Sequence, residues 1–457
     1  MMSRNLTCVL GSCATLLLAA CGDDTTAPAP PPQIQAATAE VAAMAAQVRQ
    51  LATTNGITAL QRPAAVRREL SLLGQALAFD KVRSGNRDIS CMTCHLAKNA
   101  TIDGRSVAIG QGATGLGTGR VHPQSKFIHR NAPPLFNLHA MSVLTWDGRV
   151  FRTSTGVIRG PDPVNAAQRA TFEFGPLSAL PMFPVLSRAE MRGNAGNELA
   201  TFADDKPQRT WRGLMARLGA IPEYRTMFES AYPGVAFDSM TFAHASNAMG
   251  GWIAAVFAST NSPWDRFLAG NDDAMTETQI RGALAFMGSA KCSQCHNGPA
   301  FTDEKFHNVV IPQVGPGFGN GADGHDDFGR MRQTNNTANQ YQFRTPPLRN
   351  VELTAPYGHD GAITSLRAWV DHYSQATTKL TLYDPSQLEP LLQGTLQPTS
   401  AGIIATRDIK LKTLVLAPGT VDDITEFLKA LTDPGARDMR QVVPVAVPSG
   451  LPVDNLP

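Results

Sequence analysis

Two pairs of cysteines in this chain are each followed at once by a histidine. They read Cys91-Met92-Thr93-Cys94-His95 and Cys292-Ser293-Gln294-Cys295-His296. Two thiols at this spacing can bond to both vinyl groups of one haem, and the adjacent imidazole then ligates the iron. We therefore predict two covalently bound haem c groups, attached through the four cysteines, with His95 and His296 as iron ligands.

Two other chemistries also use a C-x-x-C pair. A zinc site needs two further ligands for each pair, and the histidine that follows would then be an unexplained coincidence in both copies. A dithiol redox pair is expected between a strand and a helix, which the flanking sequence does not predict. Both alternatives are disfavoured here.

The remaining cysteines are Cys8, Cys13 and Cys21, all near the N-terminus. Arg4 and a short apolar run ending in Leu18-Ala19-Ala20-Cys21 are typical of a bacterial lipoprotein signal. We expect residues 1–20 to be removed and Cys21 to carry a lipid; an ordinary secreted protein is the alternative. Export suits haem c, and no cysteine is left for a disulfide.

The segment after Cys21 is rich in proline and shows no apolar periodicity. We expect residues 21–35 to form a semi-rigid tether that holds a domain away from a membrane. Gly22 resembles an outer-membrane sorting signal, and Asp23 leaves the choice of membrane open. The predicted location is the periplasmic side, lipid-anchored, with the outer membrane favoured.

Composition excludes several classes of protein. The net charge is +2 and no basic run occurs, which argues against nucleic acid as the main partner. Hydrophobic residues make up 43% of the chain, enough for a substantial core. Outside the N-terminus no stretch is apolar enough for a polytopic membrane protein.

The elements that must position the two motifs are predicted to be helices joined by long loops. Helices are predicted over the segments 36–53, 63–79, 210–228, 239–260, 276–287, 366–372 and 421–431. Apolar residues recur with a 3.6-residue period in 36–53 and lie on one helix face in 210–228. The segments 63–79 and 276–287 lead directly into the two motifs, and no clear alternating strand pattern is present. We predict a mainly α fold with two cytochrome c-like helical domains and long loop insertions, one haem in each domain.

Further motifs follow one another in a characteristic order around the two attachment sites. They are Leu73-Gly74-Gln75-Ala76-Leu77-Ala78-Phe79-Asp80, Arg130-Asn131-Ala132-Pro133, Trp146-Asp147-Gly148-Arg149, Thr345-Pro346-Pro347-Leu348-Arg349-Asn350 and Ala355-Pro356-Tyr357-Gly358-His359-Asp360-Gly361. From about Pro63 to Pro434 the chain resembles the bacterial di-haem cytochrome c peroxidases, a family that includes the MauG-like enzymes.

The resemblance implies roles for several residues. The N-terminal haem would react with peroxide and the C-terminal haem would store or relay electrons. Trp146 matches the tryptophan between the haems, which is the favoured role; a core aromatic residue is the alternative. Glu190, followed by Met191, matches the distal glutamate that moves a proton during peroxide cleavage; a surface glutamate is the alternative.

The resemblance also implies an inter-domain calcium ion. Asn131, Thr354 and Pro356 match its position, where backbone and amide oxygens suit a hard cation. The same residues are common in turns. Hydrogen peroxide, a small electron-donor protein (a cytochrome c or a cupredoxin) or a protein substrate, and a second copy in a homodimer are the implied partners.

Two positions depart from the typical family pattern. Gln111 stands where many members have a histidine that caps the peroxide-reacting iron, so the first site is expected to stay open. The loop up to Arg130 is long, and His122 or His129 is an alternative cap. Tyr373 stands where typical members have a methionine ligand and MauG-like enzymes a tyrosine; a structural Tyr373 with His372 as the ligand is the alternative.

These observations predict the following organisation and function. Residues 36–205 form the peroxidatic haem domain, residues 206–436 the electron-transfer haem domain, and residues 437–457 a tail. The segment 150–173 has no assigned counterpart. The favoured function is a peroxidase that reduces hydrogen peroxide with electrons from a small redox protein. The alternatives are a MauG-like oxidase that modifies tryptophan or tyrosine of a partner, and a non-catalytic electron carrier.

Overall fold

The computed structural model describes residues 39–397, 400–411 and 414–454. The predicted signal peptide, Cys21 and the tether lie outside them. The described chain is mainly helical, as predicted. Its α-helices, in chain order, are α1 (Ala39–Thr54), α2 (Arg68–Phe79), α3 (Cys91–Cys94), α4 (Ala166–Ala170), α5 (Pro176–Ala179), α6 (Pro207–Gly219), α7 (Pro222–Ala231), α8 (Phe242–Val256), α9 (Pro263–Leu268), α10 (Glu277–Met287), α11 (Met331–Thr334), α12 (Leu366–Tyr373), α13 (Ala376–Thr381), α14 (Pro390–Gln393), α15 (Ser400–Ala405) and α16 (Pro418–Ala430).

Two small antiparallel sheets accompany the helices. The first has the order β1-β2-β3 and the second pairs β4 with β5. Their strands are β1 (Val143–Leu144), β2 (Val150–Arg152), β3 (Ile158–Arg159), β4 (Phe306–His307) and β5 (Phe343–Arg344). Phe151 lies opposite both Val143 and Arg159. The segment 150–173 thus supplies β2, β3 and α4.

Most predicted helices occur with shifted ends. The helix expected from residue 63 begins at Arg68, and the one expected over 210–228 is divided between α6 and α7. Pro222 is the first residue of α7. Because proline lacks an N–H, it cannot continue a preceding helix but suits the first turn of a new one.

Each C-x-x-C-H motif follows a helix that packs against another helix far along the chain. Helix α2 leads to the first motif and contacts α8, and α10 leads to the second motif and contacts α16. The first cysteine pair spans α3, and Cys292–Gln294 form a single 3₁₀ turn. The two attachment sites are therefore built on the same plan.

The buried apolar residues fall mainly into two large clusters. Trp211, Phe228 and Trp252 pack with α2 in the first cluster, and Trp264, Phe286 and many later residues form the second. Helices α6 to α8 therefore pack with the first attachment site. The division into two haem domains at 205/206 stays a prediction.

Each end of the described chain packs in the apolar cluster that is built mainly from the opposite part of the chain. Val48 of α1 packs in the second cluster, whereas Val442 and Val447 of the tail pack in the first. The Ser449 hydroxyl donates a hydrogen bond to Asp80 just after α2, at 2.7 Å. None of the helices in the described ranges has both the length and the apolar character needed to cross a bilayer.

Candidate functional site: a cavity shared by the two haem-attachment motifs

One cavity of about 620 Å³ is bordered by both C-x-x-C-H motifs. Its wall contains most of the residues predicted from the sequence, namely Cys91, Cys94, His95, Asn131, Trp146, Glu190, Cys292, Cys295, His296, Thr354, Pro356 and Tyr373. Residues more than 280 positions apart in the chain thus meet on one surface.

The two motif histidines are held in the same way. The Nδ1 atom of His95 donates to the Thr101 carbonyl, and that of His296 donates to the Phe301 carbonyl, each at 3.0 Å. This leaves Nε2 of both rings as the atom with an available lone pair. Burial lowers the pKa of both histidines, that of His296 to about 4, so both rings are neutral at neutral pH.

The four motif cysteines are free thiols. The Arg83 guanidinium donates to Cys91 Sγ at 3.1 Å, and Lys410 Nζ donates to Cys295 Sγ at 3.4 Å. Burial raises the pKa of Cys292 to about 12. Paired thiols beside a neutral imidazole, all on an apolar cavity, are the donor set that covalent haem requires, so the residues fit the predicted cofactor.

Cys295 also lies near Asp303 and His307, with one ligand atom of each within 4.8 Å of the others. Such a trio is able to hold a metal ion. Because thioether formation would use the Cys295 sulfur, we assign this residue to haem attachment.

Glu190 lies in a one-turn π-helix, Arg188–Arg192, beside the first motif. Its backbone N–H donates to the Ser187 hydroxyl at 3.3 Å, which starts the turn. Burial raises the pKa of the Glu190 carboxyl, while the positive charge of Arg149 and a hydrogen bond with Ser187 oppose that rise. Glu190 lines the cavity together with Cys94 and His95 of the first motif.

Gln111 is separated from the cavity. It lines a second cleft, of about 460 Å³, together with His122. Its side-chain oxygen accepts a hydrogen bond from the Asn86 amide, and its backbone N–H donates to the Glu190 carbonyl in the π-turn. Of the two histidines considered as caps, His129 borders the large cavity, and its Nδ1 donates to the Gly317 carbonyl.

Trp146 is hydrogen-bonded to two segments that line the cavity. Its indole N–H donates to the Asn131 carbonyl at 3.1 Å, and its own carbonyl accepts from the Arg344 N–H at 2.8 Å. The Asn131 amide donates to the Arg105 carbonyl at 2.8 Å, and the Thr354 hydroxyl donates to the Val351 carbonyl at 3.1 Å. The three predicted calcium ligands thus lie on the same cavity as Trp146.

Two arginines that line this cavity were not predicted as site residues. Arg130 is buried between Asp147 and Asp327, at 2.8 and 2.6 Å. Arg149 approaches Asp147 at 3.9 Å, and its buried Nε has no hydrogen-bond partner among the described residues. Both arginines belong to the family motifs quoted above, so the sequence already marked them as candidates. The sequence could not show their contacts, because Arg130 pairs with Asp327 from a distant segment.

Tyr373 and His372 are adjacent at the end of α12 but face different surroundings. Tyr373 borders the cavity, and its pKa is raised by burial and by the nearby thiols of Cys292 and Cys295. His372 is buried, and its Nε2 donates to the Val309 carbonyl at 2.9 Å. The geometry therefore favours Tyr373 over His372 as the residue that faces the second haem site.

Comparison with known proteins agrees with this geometry. The family model described as di-haem cytochrome c peroxidase matches residues 68–273. Over that range the chain is similar to this family. It is 28% identical over 307 residues to the methylamine utilization protein MauG of Methylorubrum extorquens, covering 67% of this chain and 69% of the relative. It is 29% identical over 308 residues to the cytochrome c551 peroxidase of Pseudomonas aeruginosa, covering 65% and 68%.

Solved structures show the same fold for family members. A MauG-like protein associated with microbial copper homeostasis aligns with a TM-score of 0.58 at 23% identity, over 85% of this chain and 96% of that one. The diheme peroxidase BthA from Burkholderia thailandensis aligns with a TM-score of 0.57 at 18% identity, over 86% and 91%. The family implies two haem c cofactors, in agreement with the two motifs.

Proposed function

We propose that this protein is a di-haem c peroxidase that reduces hydrogen peroxide to water with electrons from a small redox protein. The observation that carries the proposal is the single cavity bordered by two equivalent cysteine-histidine sites, one of which has Glu190 beside it. An electron carrier has no need of a half-buried carboxylate at one of its sites, so this feature disfavours the non-catalytic alternative.

The side chains of the two sites would have different roles. His95 and His296 would each hold a haem iron through Nε2, and the bound haems would supply reversible electron transfer. Glu190 would take a proton from one peroxide oxygen and return it to the other, which leaves as water. Its pKa, raised by burial, is closer to neutrality than that of an ordinary glutamate and suits this exchange. Trp146 would lie on the path between the sites.

A MauG-like oxidase that modifies a partner's tryptophan or tyrosine is the second candidate. Tyr373 beside the second cysteine pair supports it, because an anionic oxygen ligand stabilises the more oxidised states of iron. The position of Gln111 outside the cavity also supports it, since a first site without a cap needs no reductive activation.

The proposal includes several further features. These are the lipid on Cys21, the outer-membrane location, calcium at Asn131, Thr354 and Pro356, a homodimer, and the division into two haem domains. Loss of labelled palmitate in Cys21→Ser would support the anchor, because the bacterial modification carries enough acyl chains for stable attachment. Chelator-sensitive activity restored by calcium would support the cation site.

The decisive experiment is steady-state peroxide turnover by the purified holoprotein with reduced cytochrome c, with and without prior reduction of the enzyme. Sustained oxidation of cytochrome c supports the peroxidase. Peroxide consumption without cytochrome c oxidation, together with oxidation of a partner protein, supports the MauG-like alternative. If both haems are present and peroxide is not consumed, the protein is an electron carrier.

A further inference from the structure

Each attachment motif has one cysteine sulfur beside a cationic side chain, and the two cations differ in burial. In the first motif, Arg83 Nη2 lies 3.1 Å from Cys91 Sγ. In the second, Lys410 Nζ lies 3.4 Å from Cys295 Sγ. Arg83 has only 1% of its surface exposed, whereas Lys410 is an exposed residue. Water screens an exposed charge far more than a buried one, so the first motif has the stronger local field.

The turn that follows α2 places Arg83 behind the first motif. The Asp80 side chain accepts from the Val82 N–H at 2.8 Å and so begins the 3₁₀ turn Lys81–Arg83. Arg83 Nε then donates to the Leu77 carbonyl, in the last turn of α2, at 2.6 Å. The C-terminal end of a helix favours a positive charge, which helps to stabilise a buried guanidinium at this position.

No carboxylate accepts a hydrogen bond from Arg83 in the described part of the chain. Besides the two contacts given above, its Nη1 atom is buried without a hydrogen-bond partner among the described residues. The buried carboxylate of Asp80 accepts instead from the hydroxyls of Tyr224 and Ser449, each at 2.7 Å. Because a guanidinium does not lose its proton in proteins, Arg83 is a permanent buried cation.

We propose that Arg83 raises the reduction potential of the first haem. Reduction of a ferric haem adds one electron, and a buried positive charge beside the attachment sulfur stabilises the electron-richer form. The exposed Lys410 has a weaker effect at the second haem, so Arg83 favours electron transfer from the second haem to the first. This inference rests on haem attachment at Cys91 and Cys94, and it does not require that the haem turns over peroxide.

The test is a redox titration of the purified holoprotein monitored by EPR, which follows the two ferric haems separately. The EPR signal that changes in Glu190→Gln is assigned to the first haem. Arg83→Gln keeps a side-chain donor but removes the charge, whereas Arg83→Lys keeps the charge. We expect Arg83→Gln to lower the equilibrium constant for reduction of the first haem about tenfold, which corresponds to about 59 mV for one electron. Arg83→Lys should keep most of the wild-type value.

Lys410→Gln is the matched control, because it removes a charge near the other motif's sulfur at a position exposed to water. It should change the second potential much less than Arg83→Gln changes the first. Higher ionic strength should leave the effect of Arg83 in place, since salt hardly screens a buried charge. Arg83→Leu is a second neutral variant that avoids burying an unpaired amide. Haem content and thermal unfolding identify any variant that loses the fold.

The outcomes separate this inference from the proposed function. Equal potentials of the first haem in the wild type, Arg83→Gln and Arg83→Leu would overturn the role of Arg83, whether or not peroxide is consumed. An equal decrease in Arg83→Lys and Arg83→Gln would also overturn it, because the charge would then not set the potential. A decrease in the neutral variants of a protein that does not consume peroxide would support the role of Arg83 and contradict the peroxidase. A wild type with haem only at the second motif would overturn both the cofactor assignment and this inference.

Discussion

The backbone N–H of Gln111 donates to the carbonyl of Glu190 at 2.9 Å. This bond ties the loop after the first haem motif to the π-turn that carries the proposed acid–base residue. Gly110 makes the approach possible, because a Cβ there would lie 1.8 Å from the Ala189 carbonyl oxygen. The position of Glu190 thus depends on a glycine in a distant loop.

We expect Gly110→Ala to displace the π-turn and to reduce peroxide turnover at least tenfold while both haems stay attached. Gly119→Ala is the control in the same loop, because nothing lies within 4 Å of a Cβ at that position. Turnover and haem content would be measured on both variants. Full activity in Gly110→Ala would show that the turn tolerates the displacement.

Glu190→Gln should keep the fold and both haems but lose about 10²–10⁴-fold in peroxide turnover, the usual contribution of a general acid–base group. Stopped-flow reaction with peroxide measures this directly. Glu223→Gln, at an exposed position of α7, is the control. A wild-type rate in Glu190→Gln would mean that another group transfers the proton.

The pH dependence of the peroxide reaction should report the environment of Glu190. Burial raises its pKa and the charge of Arg149 opposes this, so removing that charge raises the pKa further. The reaction needs the carboxylate to accept a proton, so the rate increases as pH rises through this pKa. We expect Arg149→Met to move this rising part of the pH–rate profile to higher pH. Arg159→Met, at the exposed end of β3, is the control and should leave the profile unchanged. An unshifted pH–rate profile in Arg149→Met would show that the charge of Arg149 does not affect the pKa of Glu190.

Tyr373 should decide whether the ferric protein reacts with peroxide directly. With Tyr373 in place we expect one high-spin haem and a spectral change on adding stoichiometric peroxide without a reductant. Tyr373→Met should raise the potential of the second haem, because a thioether replaces an anionic oxygen, and should make the reaction dependent on prior reduction. Tyr383→Phe removes a hydroxyl that donates to the Ala362 carbonyl and is the control. Two low-spin haems and no ferric reaction in the wild type would indicate a capped first site, with His129 as the candidate cap.

Arg130 should be essential for stability. Arg130→Met would remove the guanidinium that lies between the buried carboxylates of Asp147 and Asp327, at a cost of about 3–5 kcal/mol in unfolding free energy. Burial alone would raise the pKa of Asp147, but Arg130 holds it well below its ordinary value. The loss should shrink in acid, as the unpaired carboxylates become protonated. Arg367→Met, which breaks an exposed pair with Asp422, should leave the midpoint of urea unfolding nearly unchanged.

The sequence by itself determined the haem chemistry and the helical class. A C-x-x-C-H motif is local, because five consecutive residues contain both thiols and the imidazole, and helix periodicity is local as well. The helices before both motifs were predicted for this reason. The family motifs around Trp146 and Glu190 could also be recognised from the sequence, because each lies in one short segment.

Only the tertiary structure decided which residues meet. It brought Glu190 and Tyr373 to one cavity, left Gln111 in a separate cleft, and turned His372 toward the Val309 carbonyl. It also packed α6 to α8 with the first site. The first helix of the described chain packs in the second apolar cluster, and the C-terminal tail packs in the first. These relationships join segments far apart in the chain. They depend on which apolar faces pack together and on which backbone groups find partners, and neither is encoded within any single segment.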